Sequence, residues 1–238
     1  MEIVYPPVIG FAKTMFRVLD LKIEVAGAEH IPTTGGAVLT SNHVSYLDFV
    51  FCGLGAQPAR RLVRFMAKKS VFTHKVSGPL MRGMHHIPVD REAGSAAFQE
   101  AIAALKGGEV VGVFPEATIS ESFTVKELKS GAARLAHEAG VPLIPMVVWG
   151  PHRLWTKGHK KDLTKRHVPA IIKIGEPITT TANADTTTAE LKVKLSALLD
   201  EVQRAYPDQP SGPAEKWWLP AHLGGTAPLP APVPPVTA

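Results

Sequence analysis

The sequence predicts an α/β domain with a largely parallel central sheet flanked by helices. Three features carry that expectation. Short apolar runs alternate with segments of helical periodicity along most of the chain. One of these runs, Val110-Val111-Gly112-Val113-Phe114, has no polar side chain, as in a strand covered on both faces. The helical segment before it, Ala93 to Lys106, stops at Gly107-Gly108, a common way for a helix to end. Residues 1–21 read as an N-terminal amphipathic helix, 22–206 as the α/β domain, and 207–238 as an extended tail.

Taken in order, Tyr5-Pro6-Pro7 precedes Val8, Phe11, Ala12, Met15 and Leu19 at helical spacing, with Lys13 and Arg17 off that stripe. Such a helix either lies in a membrane interface with its cations snorkelling or packs on the domain. Ile23 and Val25 alternate with Lys22 and Glu24, the pattern of an edge strand, and Gly35-Gly36 turns the chain into the apolar strand Ala37–Thr40. A helix is expected from Leu47 to Leu54. Strands are expected within Arg60–Lys69, whose flanks are strongly basic, and at Ile87-Pro88-Val89-Asp90-Arg91. Gly131 to Gly140 reads as a helix, then Leu143–Val148 and Ala170–Ile174 as strands. The helix Ala189–Tyr206 carries the stripe Leu191, Leu195, Leu198, Leu199 and Val202. From Pro207 onward proline and glycine dominate, and Trp217-Trp218 interrupts them as a clamp on the domain or a headgroup-level anchor.

Composition narrows the function classes. A chain of 238 residues buries roughly 70–75% of its unfolded surface and needs no covalent staples. Cys52 is the only cysteine, which excludes an intramolecular disulfide and suits a reducing compartment. Met1-Glu2 lacks the basic-then-apolar order of a signal peptide, and no run approaches the roughly eighteen apolar residues of a spanning helix. The net charge of +5 favours anionic partners such as phosphate groups, acidic lipids or an acidic carrier protein. Zinc-finger spacings, RNA-binding aromatic motifs and helical basic stripes are missing, so no nucleic-acid partner is expected. His85-His86 would point to opposite faces of a strand, so no metal is expected. Ser95 and Ser130 lack a Gly-x-Ser-x-Gly elbow, which argues against a lipase. Lys157, His159, Lys160, Lys161, Lys165 and Arg166 form a basic loop, either a solvated surface or a contact for acidic lipid or a carrier's phosphates.

The chemistry concentrates around Ser41-Asn42-His43-Val44-Ser45-Tyr46-Leu47-Asp48, between a buried strand and a helix. Ser45 suits an N-cap, and Asp48 stands three residues on, the spacing of a capping box. From the first helical turn Asp48 can fold back onto one nitrogen of His43, fixing its tautomer and stabilising the imidazolium. Main-chain N–H groups near that helix start are candidates for holding an oxyanion. Three further stretches follow at strand–helix junctions, where α/β sheets place ligands. They are Ile87–Arg91, Phe114-Pro115-Glu116-Ala117-Thr118-Ile119-Ser120, and Val141-Pro142-Leu143-Ile144-Pro145-Met146.

These four stretches, in this order, resemble the glycerolipid acyltransferase family over about residues 22–180. His43 and Asp48, with Asn42, match its Asn-His-x4-Asp motif, and Arg91 the arginine of its second. Phe114–Thr118 matches its Phe-Pro-Glu-Gly-Thr block, and Val141, Pro142 and Pro145 its proline-bearing fourth motif. Lys68 stands where such enzymes often carry a lysine. Ala117 replaces the family's usual glycine, and Ile119 an arginine expected at the substrate phosphate. The resemblance implies a glycerol-3-phosphate acyltransferase-like fold and an O-acyltransferase with His43 as general base and Asp48 as its orienter. Lys68, Arg91, Glu116, Ala117 and Thr118 would meet the substrate, while Asn42, Pro115, Val141, Pro142 and Pro145 would line the acyl chain or support the motifs. The implied donor is acyl-CoA or acyl carrier protein, with no further cofactor and no metal. The implied acceptor is lysophosphatidic acid, giving phosphatidic acid at the cytoplasmic side of a membrane, peripherally bound. Glycerol 3-phosphate or another glycolipid alcohol is the alternative acceptor. A membrane-binding protein that kept the fold without turnover is the alternative of a different class.

Overall fold

The computed structural model describes residues 2–90 and 94–230. At its centre is a seven-stranded sheet in the order β1-β7-β6-β2-β5-β3-β4. The strands are β1 (Lys22–Ala26), β2 (Ala37–Ser41), β3 (Val63–Lys68), β4 (Ile87–Val89), β5 (Val110–Val113), β6 (Leu143–Trp149) and β7 (Pro169–Ile174). β6, β2, β5, β3 and β4 run parallel; β7 pairs antiparallel to β6 and carries β1 with it, so the expected edge strand is at the edge. β2 and β6 are buried at every position because helices cover both faces. On one face, α5 (Gly94–Lys106), α6 (Gly131–Ala139) and α7 (Ala184–Arg204) pack over Val38, Val111, Leu143 and Val147. On the other, α1 (Tyr5–Val18) and α2 (Asp48–Gly55) cover Leu39, Ile144, Met146 and Ile172. Gly55 permits the close approach of α2, since a Cβ there would stand 2.8 Å from Ile172 and 2.9 Å from Met146.

Several elements differ from expectation for local reasons. α7 begins at Ala184 rather than Ala189, because Asn183 accepts the N–H groups of Asp185 and Thr186 and caps a threonine-rich first turn. Two short helices, α3 (Lys69–Thr73) and α4 (Ser77–Gly83), follow β3. Five- and seven-residue helices are too short to show a periodic pattern. Arg82 joins them by donating to Phe72 O at 2.6 Å. His85 sits in a turn with φ +57°, so it and His86 do not share a strand. His86 is buried, and its Nδ1 accepts the Phe65 N–H at 3.1 Å. Burial lowers its pKa to about 4, which keeps it neutral and able to accept.

α1 is a packed helix with one face left over. Ala12, Phe16 and Leu19 enter the core, Phe16 stacks on Phe51 at 4.8 Å, and the Tyr5 hydroxyl donates to Val63 O at 2.7 Å. The buried Arg64 guanidinium ties down the approach to the helix through Glu2 and Glu109. The stripe read from Val8 to Leu19 is therefore largely core-facing. Phe11 of that stripe and Val18 beside it are the strongly exposed apolar residues of the helix, 72% and 62% accessible, next to Lys13 and Arg17.

Over its described residues, 207–230, the segment read as an extended tail is folded back. It folds into two 3-10 turns, Pro213–Trp218 and Ala221–Leu223, laid back over the helix layer. Trp218 is fully buried, with the Arg153 guanidinium 4.4 Å over its ring and its carbonyl accepting from His152 Nε2 at 3.0 Å. Trp217 stacks on His159 at 4.2 Å. Both indoles thus clamp the tail to the domain. Proline-rich composition hid this because two aromatic contacts, not periodicity, hold the segment down.

Candidate active site

β2 carries the chain to the C-terminal edge of the sheet, and Asn42 extends its pairing one residue further. The Asn42 amide accepts Val148 N–H at 2.8 Å and donates to Val148 O at 3.1 Å, gripping β6 from the side. His43 follows on a main chain fixed at both ends. Its N–H donates to Glu116 Oε1 at 2.8 Å and its carbonyl accepts Ser120 N–H at 2.7 Å. The imidazole stacks on Phe114, centroids 4.4 Å apart, and stays partly accessible. Nδ1 lies 3.0 Å from Asp48 Oδ2, so the Nδ1–H donates there and Nε2 is left as the acceptor.

Asp48 is fully buried at the start of α2. Its Oδ2 also accepts the N–H groups of Val44 and Ser45, each at 2.7 Å, while Oδ1 has no partner among the described residues. Burial pushes its pKa up, and the imidazole and the two N–H groups pull against that. The capping-box spacing is present as a turn just before the helix: Ser45 Oγ accepts Leu47 N–H at 3.0 Å while Asp48 accepts Ser45 N–H. The helix itself starts at Asp48, with Leu47 at the cap position.

A second layer of bonds reaches this loop from beyond β6. Thr156 Oγ1 donates to Val44 O at 2.6 Å, and Trp155 O accepts from Ser45 Oγ at 2.7 Å and from Tyr46 N–H at 3.2 Å. Sequence reasoning missed Thr156 and Trp155, which carry no motif and meet the neighbours of His43 only through the sheet, and it gave Ser120, the last residue of its third stretch, no role.

These bonds narrow one expectation. Every N–H from His43 to Asp48 already donates within the protein: to Glu116, to Asp48 twice, to Trp155 O, to Ser45 Oγ and to Ser45 O. None of these six is left to hold an oxyanion, which leaves that part to N–H groups of α2 beyond Asp48.

The residues of the third motif build the wall. Glu116 is buried, and its Oε1 and Oε2 accept the N–H groups of His43 and Lys126. Burial raises its pKa to about 7. In this arrangement it braces main chain on both sides of the site. Pro115 is buried and its carbonyl accepts Lys129 N–H at 2.9 Å. Ala117 occupies the left-handed region with φ +60°, where the family's glycine would be unstrained. The Thr118 hydroxyl and carbonyl both accept from Lys126 Nζ, at 2.6 Å each. Ile119, at the family's arginine position, turns into the core. Lys126 is therefore a cation on this turn that the sequence reading passed over.

His43 opens into a cavity of about 500 Å3. Its walls are mostly apolar, among them Phe49, Phe65, Met66, Val71, Val113 and Phe114, and Lys68 and Ala117 stand on its lining. Lys68 is exposed at the end of β3. Arg91 lies outside the described residues. Val141, Pro142 and Pro145 belong to the opposite end of β6 and line no part of this cavity. They support the sheet: Pro142 O accepts Val38 N–H at 3.0 Å and Pro145 O accepts Gly175 N–H at 2.8 Å.

A sequence profile described as Acyltransferase matches residues 22–149. That is more than half of the chain and contains the whole His43–Asp48 loop. The chain belongs to the acyltransferase family. Among individual relatives, the 1-acyl-sn-glycerol-3-phosphate acyltransferase of Bacillus subtilis is 31% identical over 196 residues, covering 81% of this chain and 92% of the relative. The enzyme of that name from Limnanthes alba is 33% identical over 165 residues, covering 67% of this chain and 56% of the plant protein. The chain thus spans little more than half of the plant relative. The crystal structure of the 1-acyl-sn-glycerophosphate acyltransferase PlsC from Thermotoga maritima superposes with a TM-score of 0.71 at 25% identity, over 86% of this chain and 81% of that one. Both share the α/β fold with a mostly parallel sheet expected from sequence.

Proposed function

We propose that this acyltransferase moves a fatty acyl group from a thioester, acyl-CoA or acyl carrier protein, to the free hydroxyl of lysophosphatidic acid, producing phosphatidic acid. The observation that carries the reading is the His43–Asp48 pair facing an apolar cavity that also presents a lysine. Nε2 removes the hydroxyl proton as the oxygen attacks the thioester carbonyl. The C–O bond forms, the C–S bond of the tetrahedral intermediate breaks, and the imidazolium returns its proton to the departing sulfur. No acyl-enzyme is needed. Burying the acyl chain along Phe49, Phe65, Met66 and Val71 contributes about 0.8 kcal/mol per methylene. A pair held this closely, with its tautomer fixed, favours turnover over a non-catalytic membrane protein.

Lys68, with Arg91, supplies positive charge for the acceptor phosphate. Lys68→Ala should raise KM for lysophosphatidic acid roughly tenfold with a smaller change in kcat, and added salt should weaken the wild type in the same direction. The check is an acceptor panel with one labelled acyl-CoA, including glycerol 3-phosphate and monoacylglycerol. A monoacylglycerol that serves the wild type equally well would show that no acceptor phosphate is read here.

The acceptor resides in a bilayer, and among the described residues no helix is long and apolar enough to cross one. The protein acts from the cytoplasmic surface as a peripheral enzyme, with Phe11 and Val18 of α1 entering the interface and Lys13 and Arg17 meeting anionic headgroups. Tyr5, Ala12 and Phe16 of the same helix are core, so the interface role is read from exposed positions alone. Phe11→Ser with Val18→Ser should reduce co-sedimentation with anionic vesicles about tenfold at an unchanged melting temperature, two partly inserted side chains each being worth at most ~1.5–3 kcal/mol. Unaltered vesicle binding would place the anchor elsewhere.

A further inference from the structure

We propose that the connection between β6 and β7 is the docking surface for the 3′-phosphorylated adenosine diphosphate of coenzyme A, with Tyr46 and Trp155 taking the base and Lys157, Lys160 and Lys161 the phosphates. The inference rests on the acyl-transfer reading above and names the donor that reading leaves open. Topology is the first support. β6 runs parallel to β2, so the chain leaving Trp149 emerges at the same end of the sheet as His43. On the other side of β2 come β5 and then β3, which delivers Lys68. The strand order therefore puts cations on opposite flanks of His43. Two anionic substrates that meet at one imidazole repel each other less when their phosphates are held on separate flanks.

The surface is also joined rigidly to the reaction centre. Tyr46 lines the cavity beside His43 and packs on Trp155, ring centroids 4.9 Å apart. Trp155 is half-buried, and its carbonyl accepts from both Ser45 and Tyr46, so the aromatic pair cannot drift from the catalytic loop. Lys161 Nζ stands 4.8 Å from the Trp155 ring centre. Lys157 and Lys160 are exposed on the same loop, Lys157 sharing Glu121 at 2.8 Å. Asp162 holds the loop's return by accepting Thr164 N–H and Oγ1–H at 3.0 and 2.7 Å.

Aromatic side chains next to exposed cations recognise a base carrying phosphates. A lipid headgroup has no ring to stack, and the acidic surface of a carrier protein calls for cations without the aromatic pair. The pantetheine arm would run from the thioester at His43 across Tyr46 to this loop. The loop also lies beyond residue 149, where the family match ends.

The test uses the full-length chain with coenzyme A itself. By calorimetry the wild type should bind coenzyme A, and the triple variant Lys157→Ala, Lys160→Ala, Lys161→Ala should bind it roughly tenfold more weakly, with added salt acting likewise on the wild type. In turnover the same variant should raise KM for acyl-CoA about tenfold relative to KM for acyl-pantetheine, a thioester without the nucleotide. Equal changes for both donors, or unaltered coenzyme A binding, would overturn the proposal. A rise in KM confined to acyl carrier protein would overturn it too, reassigning the loop to a protein donor. Loop-dependent coenzyme A binding by a protein that transfers no acyl group would uphold it while refuting the acyl-transfer reading.

Discussion

Replacing His43 by alanine should reduce acyl transfer to lysophosphatidic acid by ~10²–10⁴-fold, the usual contribution of a positioned general base. The fold should survive. The side chain is partly accessible, and the bonds that hold the loop run through the main chain to Glu116 and Ser120. Asp48→Asn should lower turnover by a comparable factor with milder effects on substrate binding. An amide oxygen still accepts from Val44 and Ser45, but the amide no longer compels the Nδ1–H tautomer or stabilises an imidazolium. The measurements are kcat and KM with labelled acyl-CoA, with a thermal melt as the control for folding. Near-normal turnover by both variants would sink the mechanism, since no other described histidine stands in the same cavity with a carboxylate on its ring.

The largest effect on stability is expected at Trp218. Trp218→Ala should cost ~3–5 kcal/mol, because a fully buried indole leaves a cavity and strips the cover from the Arg153 guanidinium. Against a typical total of roughly 5–15 kcal/mol this is a large share. Ending the chain at Tyr206 should be at least as damaging, as it also removes Asp208 from Arg153. Turnover should fall with stability. Arg153 and His152 form the turn that leads into Trp155 and Thr156, the residues that tether the catalytic loop. Urea unfolding measures the first effect, and kcat at a temperature where the variant remains folded measures the second. A loss below about 1 kcal/mol would show that the segment lies on the domain without belonging to its folding unit.

The parts of this protein that sequence determined by itself are those governed by local rules. The alternation of strands and helices, the buried strand at Val110–Val113, the edge strand at Lys22–Ala26 and the helix stop after Lys106 follow from periodicity and turn chemistry, which act over a few residues. His43 and Asp48 were legible for the same reason: five positions apart across a strand–helix junction, they meet without help from distant chain. Arg91 was equally legible as a motif residue, but it lies outside the described residues. What only the tertiary structure decided are contacts between segments far apart in sequence. Glu116 became a brace because β5 lies beside β2, and Val141, Pro142 and Pro145 proved to be at the far end of their strand. The six N–H groups from His43 to Asp48 were already taken, one by Glu116 after β5 and one by Trp155 beyond β6. α1 was split between core and exterior by Phe16 meeting Phe51, and the tail was folded inward by Trp218 meeting Arg153. Periodicity records that a side chain repeats on a face; it carries no information about which distant surface, or water, that face will meet.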